Sequence, residues 1–563
     1  PFWLKPFWLK PGLPCAKRGA AEPRAAMDQA LRPTSDPPNG EGAEGAPPIV
    51  GQVEECVKHA AEAARPATQG TAISESARGK RIAILTNGTR GDAQPFIALG
   101  AHLQASGFAV LVLTNVNHVE FVAKFGLDVK GVRWDIEAAM SSPQAQAAMG
   151  RGDFGKVCEA VAPKEIEWWR QGGARRLFEE VRDFQPDLLI STPLEEMTSR
   201  VFAHILKKPC IGAWLQNAWP TKTAPTLVGE GHFHRLVWGL VVKEGFKQKK
   251  KALAMGFQEV FGKELAEADE FVGLETLANH NLDLLSPVEP HLLAVSEHLF
   301  PRPKDWPKSL SAVRFTGFWV VNRQEQEARL RRQDSKFGGQ SLAQLTDFLG
   351  KGEAPAYVGW GSMTARSPEF MACLAVRSLK LAGLRGIVLG GWAKLSPEML
   401  QGQPDTQELV SYAAERVLFV DSAPHEWLFP RCALTVHHGG AGTMAAAVRS
   451  GVPTVITPVF SDQFANAGMV QRSGCGVALP QLCKVKPKAL AGAMKRCAGE
   501  KMRGRAAKLG ERLQAEDGLG NATKVIDAFL RDEVATGNWA KSVAARRREH
   551  ERIAAKKQGG CCG

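Results

Sequence analysis

Short runs of β-branched and apolar residues alternate with longer amphipathic stretches along most of the chain. Lys80-Arg-Ile-Ala-Ile-Leu-Thr-Asn87 reads as a strand buried on both faces. Gly88-Thr-Arg-Gly-Asp92 follows as a turn, Pro95 sits where a first helical turn tolerates it, and a helix is expected over Phe96–Ser106. Gly107 stops that helix, and Phe108–Thr114 reads as a second strand. Strand, helix and strand at this spacing make a βαβ unit, which builds a parallel sheet. Further strands are expected at Leu188–Ser191 and Cys210–Trp214. The rhythm restarts at Ala356-Tyr-Val-Gly-Trp-Gly-Ser362 and continues at Arg385–Leu389, Arg416–Val420, Leu434–His437 and Pro453–Thr457, with a last helix ending near Arg531. The pattern predicts an α/β protein of two Rossmann-like, doubly wound parallel-sheet domains.

Composition sets the expected boundaries. Residues 1–79 are rich in Pro, Gly, Ala and Glu without apolar periodicity, and read as a disordered leader. Its first residues repeat Pro-Phe-Trp-Leu-Lys, a feature set aside as processing or transcript in origin. The first domain is expected over 80–325, a linker of Arg, Gln and Glu ending at Gly338-Gly339 over 326–345, the second domain over 346–532, and a basic tail over 533–563.

Charge and cysteine content narrow the class. The net charge of +13 gathers in Phe246-Lys-Gln-Lys-Lys-Lys251 and in the tail, without the interleaved aromatics that base stacking needs, so nucleic acid is not an expected partner. For both basic runs two readings stand, a solvated face and contact with an acidic membrane surface. The tail ends in Cys561-Cys-Gly563, which departs from a prenylation pattern. The 11 cysteines are scattered, with neither a disulfide framework nor zinc-ligand spacing, so no metal is expected and the cytoplasm is the expected location. The longest apolar run, Leu236–Val242, is too short to cross a bilayer.

The chemistry gathers at Leu434-Thr-Val-His-His-Gly-Gly-Ala-Gly-Thr443, a strand, a glycine turn and the start of a helix. Unpaired N–H groups and partial positive charge at such a start suit a phosphate. Two tandem parallel domains place their strand ends on a common cleft, which brings this turn opposite Gly88–Asp92. Neither a dinucleotide fingerprint nor a Walker loop is present, which disfavours hydride transfer and ATP hydrolysis.

Three stretches, Gly88-Thr-Arg-Gly-Asp-Ala-Gln-Pro95, Pro301–Pro307 with Thr316-Gly-Phe-Trp319, and Val436–Thr443, resemble the UDP-glycosyltransferase family over residues 80–530. Within it they are most similar to sterol 3-beta-glucosyltransferases and to bacterial transferases that decorate antibiotic aglycones. The resemblance implies GT-B architecture, UDP-glucose as donor, no cofactor, and a lipophilic alcohol, a sterol above all, as acceptor.

It also implies roles. Asp92 matches the family's general base, although a helix cap is the other reading. His438, Gly440, Gly442 and Thr443 match the diphosphate site, with Ser362 on a loop approaching the phosphates. His437 stays ambiguous between packing and binding. Asp462 and Gln463 match the sugar-binding pair, while Ala423 and His425 match the segment holding the uracil edge. Trp392 is either a stacking surface or a core residue. After Asp462-Gln463 the sterol branch carries Phe-Trp-Gly, whereas this chain has Phe464-Ala-Asn-Ala467, nearer the Asp/Glu-Gln-x-x-Asn form of other family members. Acceptors of polyketide, glycolipid or other secondary-metabolite type therefore stay open, as does a catalytically silent lipid- or nucleotide-binding module.

Overall fold

Runs of apolar residues buried on both faces form the centre of each half of the molecule. The structure is a computed structural model that describes residues 69–217, 219, 221, 256–265, 267, 288–306, 308–545 and 548. In β1 (Arg81–Leu85), Ile82 and Ile84 pack into one layer beside Phe96 and Ile97, and Ala83 and Leu85 into the other beside Leu177 and Phe178. Such two-sided burial is what a parallel sheet covered by helices requires.

Around β1 lie β2 (Ala109–Asn115), β3 (Asp128–Arg133), β4 (Leu188–Ser191), β5 (Cys210–Trp214), β6 (His291–Leu293) and β7 (Val313–Phe315), all parallel, in the order β3-β2-β1-β4-β5-β6-β7. The second sheet holds β8 (Ala356–Gly359), β9 (Gly386–Leu389), β10 (Val417–Val420), β11 (Leu434–His437), β12 (Thr454–Ile456) and β13 (Gly476–Ala478), also parallel, in the order β10-β9-β8-β11-β12-β13. The strand order of each sheet reverses once, between β1 and β4 and between β8 and β11. Clefts for ligands form at such switch points.

The strands expected from the apolar runs are present, each within one to three residues of the expected ends. Four strands lacked a sequence signal. β3 is an edge strand whose pattern is broken by exposed Asp128 and Lys130, and β6, β7 and β13 are three residues each. One helix starts earlier than Pro95 suggested, running Arg90–Ser106 with Thr89 as N-cap. A capping box sets that start: the Thr89 and Asp92 side chains each accept from the other's backbone N–H. Asp92 is therefore the third residue of the helix, not part of a turn before it. Pro95, lacking an N–H, is tolerated within the helix.

Order also begins ahead of Lys80. Thr71 N–H donates to Ser106 Oγ at 2.9 Å, and Ser74 donates to Asp527 Oδ1 through its N–H at 3.0 Å and its hydroxyl at 2.5 Å. The expected leader up to residue 68, Leu236–Val242, Phe246–Lys251 and most of the tail after 545 lie outside the described residues. Residues 538–545 are helical.

The chain crosses between the domains twice. In the first crossing Phe337 stacks on Phe121 of the N-terminal domain, with centroids 6.0 Å apart. Buried Arg329 in the same segment pairs with Glu325 at 2.8 Å and donates to the Lys124 carbonyl. In the second, the Gly518–Ala528 helix returns to the N-terminal core through Ala522 and Ile526. Away from these crossings, Thr364 Oγ1 donates to Gln146 Oε1 and Arg366 N–H to the Gly150 carbonyl, both at 2.8 Å. Gln481 Nε2 reaches the carbonyls of Gly152 at 3.0 Å and Val459 at 2.9 Å, and Phe154 lies 5.0 Å from Phe460. No helix among the described residues is long and apolar enough to cross a membrane.

Asp527→Ala removes the acceptor of both Ser74 bonds. Hydrogen exchange across residues 71–77 is expected to speed up at least about tenfold, while exchange in β8 and β11 stays unchanged. Unchanged protection of 71–77 would show that the clip does not hold this segment.

Candidate active site

Two helix starts meet where the two switch points face each other. The Ala441–Arg449 helix begins right after β11 and has Gly440 as N-cap, with no side chain closing its first N–H groups. A side chain on Gly442 would begin 3.9 Å from the Gly91 carbonyl oxygen. The phosphate-type turn of one domain thus lies against the Thr89–Asp92 helix start of the other. Gly439 has φ +92°, and a Cβ there would sit 2.6 Å from Ile456 Cγ2. At Gly440 a Cβ would sit 2.5 Å from His438 Nε2, so glycine gives the His438 ring its space.

The histidines of the turn differ. His437 is fully buried, and its Nδ1 accepts the Gly439 N–H at 3.0 Å, so its role is to shape the turn. Burial, followed by the proximity of His438 and His425, holds its pKa well below the usual value. Burial pushes His438 down to about 4, so its imidazole is neutral near pH 7. His438 Nδ1 is buried without a hydrogen-bond partner among the described residues. A neutral ring with an unpaired Nδ1, beside uncapped helix N–H groups, can donate to an anion in the tautomer that carries its proton there.

Asp92 and Asp462 come together from opposite domains. Both Thr89 bonds to Asp92 fall on Oδ2, from the backbone N–H at 2.8 Å and the hydroxyl at 3.0 Å. Burial raises the Asp92 pKa against these two bonds. Asp462 is raised to about 7, by burial first and then by the charge of Asp92, against hydrogen bonds from Ser461, its own backbone and Asn466. That coupling places the two carboxylates in one electrostatic site. Ser461 has φ +63°, a strained conformation for a non-glycine residue directly before Asp462.

Gln463 is turned inward. Its Oε1 accepts the N–H groups of Val459 at 2.7 Å and Phe460 at 3.2 Å, and its Nε2 faces Met363 Sδ. In this conformation its amide shapes the loop that carries Asp462. Trp392 is half-buried against the second-domain core, and its backbone N–H donates to the Gly361 carbonyl at 3.0 Å. The loop holding Ser362 is thereby tied to it, and Gly361, at φ +60°, approaches the His438 ring. His425 begins the Pro424-capped Ala423 segment, bonds Tyr357 Oη at 3.2 Å and stacks on Phe429 at 4.5 Å. Burial, then Arg90 and His438, hold it down at about 3.

Sequence reasoning did not assign Arg90, Ser461, Asn466 or Gln481. Arg90 stacks over Phe121 at 4.8 Å and Phe337 at 5.0 Å, and burial lowers its pKa to about 10. Its charge, felt by His425, spans the domain boundary. The Thr-Arg-Gly-Asp turn was legible as a motif, but the direction of this side chain was not.

Comparison with known proteins bears on the fold and the family. The family model described as "Erythromycin biosynthesis protein CIII-like, C-terminal domain" matches residues 388–518. An O-mycaminosyltylonolide 6-deoxyallosyltransferase of Streptomyces fradiae is 30% identical over 457 residues, covering 80% of this chain and 97% of that protein. A sterol 3-beta-glucosyltransferase of Arabidopsis thaliana is 27% identical, covering 80% of this chain and 66% of the relative. Its counterpart in Saccharomyces cerevisiae is 28% identical, covering 85% and 37%. The chain thus spans about two thirds of the plant sterol enzyme and just over a third of the yeast one. Among solved structures, the glycotransferase of kitacinnamycin superposes with a TM-score of 0.54 at 20% identity, covering 80% of this chain and 99% of that one. The calicheamicin glycosyltransferase gives 0.54 at 16%, covering 80% and 98%. The two-sheet architecture is therefore GT-B, and the chain belongs to the UDP-glycosyltransferase family.

The raised pKa of Asp462 has a thermodynamic sign. Its folded value of about 7 lies above its ordinary 3.8, so the stability it contributes is fully present below that ordinary value and is lost as pH rises through about 7. Asp462→Asn is expected to raise Tm by several degrees at about pH 8 and hardly at all near pH 4. Equal Tm changes at both ends would show that Asp462 does not titrate in this range.

Proposed function

We propose that this glycosyltransferase moves glucose from UDP-glucose to the hydroxyl of a sterol or a similar lipophilic alcohol, with inversion at the anomeric carbon. The observation that carries the reading is the meeting of the Asp92 helix start with the Gly440–Thr443 helix start, which brings Asp92 and Asp462 into one field.

In this mechanism the diphosphate lies on the N–H groups of Gly440, Gly442 and Thr443, with the Thr443 hydroxyl, Ser362 and neutral His438 as further donors. Asp462 accepts from sugar hydroxyls, with Gln463 holding its loop. The uracil edge meets the main chain around Ala423 and His425, beside Trp392. The acceptor O–H gives its proton to Asp92, whose Oδ1 is left for this by the Thr89 bonds on Oδ2. The acceptor oxygen forms a bond to the anomeric carbon as the bond to the diphosphate breaks, and the electron pair leaves with UDP. Helix-end donors stabilise that growing charge without reorganising. Asp92 then returns its proton to solvent.

Burial supports the base role, since a carboxylate with a raised pKa is a better proton acceptor near neutral pH. Three exposed large apolar side chains, Val116, Leu194 and Phe464, follow the carboxyl ends of β2, β4 and β12 and suit a lipophilic acceptor. A polyketide acceptor is the second reading. It is favoured by the 97% coverage of the tylonolide transferase against 66% and 37% of the sterol enzymes.

Asp92→Asn is expected to lower kcat by about a thousandfold or more while leaving calorimetric UDP affinity within about twofold. Normal turnover by that variant would remove Asp92 from the base role. UDP release from UDP-glucose, measured with sterols, macrolide aglycones and phenols side by side, decides the acceptor. Faster release with macrolides than with sterols would select the polyketide reading. A cytoplasmic protein touching membranes through its basic tail completes the proposal. Co-sedimentation with anionic liposomes is expected for the full chain and not after removal of residues 541–563; equal sedimentation of both would rule out the tail.

A further inference from the structure

The residue that joins the phosphate half of the donor site to the sugar half belongs to neither. Asn466 lies in the first turn of the Gln463–Ser473 helix and has no exposed surface. Its Nδ2 donates to two oxygens at once, the Gly439 carbonyl at 2.8 Å and Asp462 Oδ2 at 3.1 Å. The first oxygen belongs to the turn before the Ala441–Arg449 helix, and the second to the carboxylate assigned to the sugar. Gly439 is itself fixed from the other side, where its N–H donates to His437 Nδ1 at 3.0 Å. The chain of contacts therefore runs from His437 through Gly439 and Asn466 to Asp462.

Chemistry explains why an asparagine stands there. Only an amide of this length supplies two N–H donors from one nitrogen in so short a reach. Aspartate would supply no donor and would face a second carboxylate, and leucine would leave both oxygens unpaired. The amide is not an obvious choice for stability, since its Oδ1 is buried without a partner among the described residues. Asp462 otherwise sits on a loop with Ser461 in a left-handed conformation at φ +63°. Ser461 and the local backbone also hydrogen-bond this carboxylate, and Asn466 is the contact that ties it to the glycine turn.

We propose that Asn466 is a positioning residue for glycosyl transfer, holding the Asp462 carboxylate in fixed register with the diphosphate turn. The sugar and its leaving group are then presented as one rigid unit. This assignment rests on the nucleotide-sugar reading of the cleft. It predicts that Asn466 acts through Asp462 and has little effect once that carboxylate is gone.

A double-mutant cycle tests it, using kcat/KM for UDP-glucose at saturating acceptor in the full chain. Asn466→Ala alone is expected to lower kcat/KM by about tenfold or more, mainly through KM, with the calorimetric Kd for UDP changed by less than about threefold. In the Asp462→Asn background the same substitution is expected to cost less than about threefold. Additive losses, which a merely structural role produces, would overturn the assignment, as would an Asn466→Ala enzyme with native kcat/KM. Should that variant not fold, Asn466→Ser keeps one donor and enters the same cycle under the same criteria. No UDP release by the wild type with any acceptor sinks the cleft reading and this assignment together, whereas turnover with an additive cycle sinks the assignment alone.

Discussion

The structure depends on the meeting of two helix starts from different domains, where a side chain on Gly442 would begin in ordinary contact with the Gly91 carbonyl. Each parallel sheet delivers its strand ends into helices, and two of those deliveries, one from each domain, meet here. Everything chemical is arranged around that contact. Positive helix ends, a buried histidine and two half-buried carboxylates from different domains share this part of the cleft. Burial there raises Asp92 and Asp462 and lowers His438 and His425, each toward its neutral form. A carboxylate whose proton affinity is raised in this way accepts a proton more readily near neutral pH.

Much of this could be read from residue order. Continuous apolar runs such as Ile82–Leu85 and Leu434–Val436 identify central strands because burial on both faces allows little else. The glycine turn after β11 was legible as the start of a helix, and the structure sets an uncapped helix start there. Three-residue strands such as His291–Leu293 carry too few side chains to show a period, and β3 at the sheet edge is free to hold Asp128 and Lys130. At Pro95 two local rules competed. Proline argued for a start at its own position, yet the reciprocal Thr89–Asp92 bonds set the start five residues earlier. For Asp92, capping and cleft location, framed as rivals, coexist in one side chain.

Side-chain direction was the part sequence could not supply. An Asp-Gln pair looks alike whether its amide faces a ligand or its own loop, and Gln463 faces the loop. Paired histidines look equivalent, yet the Nδ1 of the first accepts a backbone N–H while the Nδ1 of the second has no partner among the described residues. Gln481 bonds a carbonyl distant in sequence, and the Asp/Glu-Gln-x-x-Asn spacing marks Asn466 without revealing its bond to the Gly439 carbonyl. Contacts of that kind exist only once the sheets are assembled.

The two crossings between domains have a mechanical meaning. A single connection would leave the halves free to twist as well as to part. Here the segment around Phe337 and the returning Gly518–Ala528 helix both anchor on the N-terminal layer. The contacts from Gln146 to Thr364, Gly152 to Gln481 and Phe154 to Phe460 join the same two halves at a third place, away from both crossings. Twisting one half against the other would therefore have to break polar bonds at this third place as well as bend both connections.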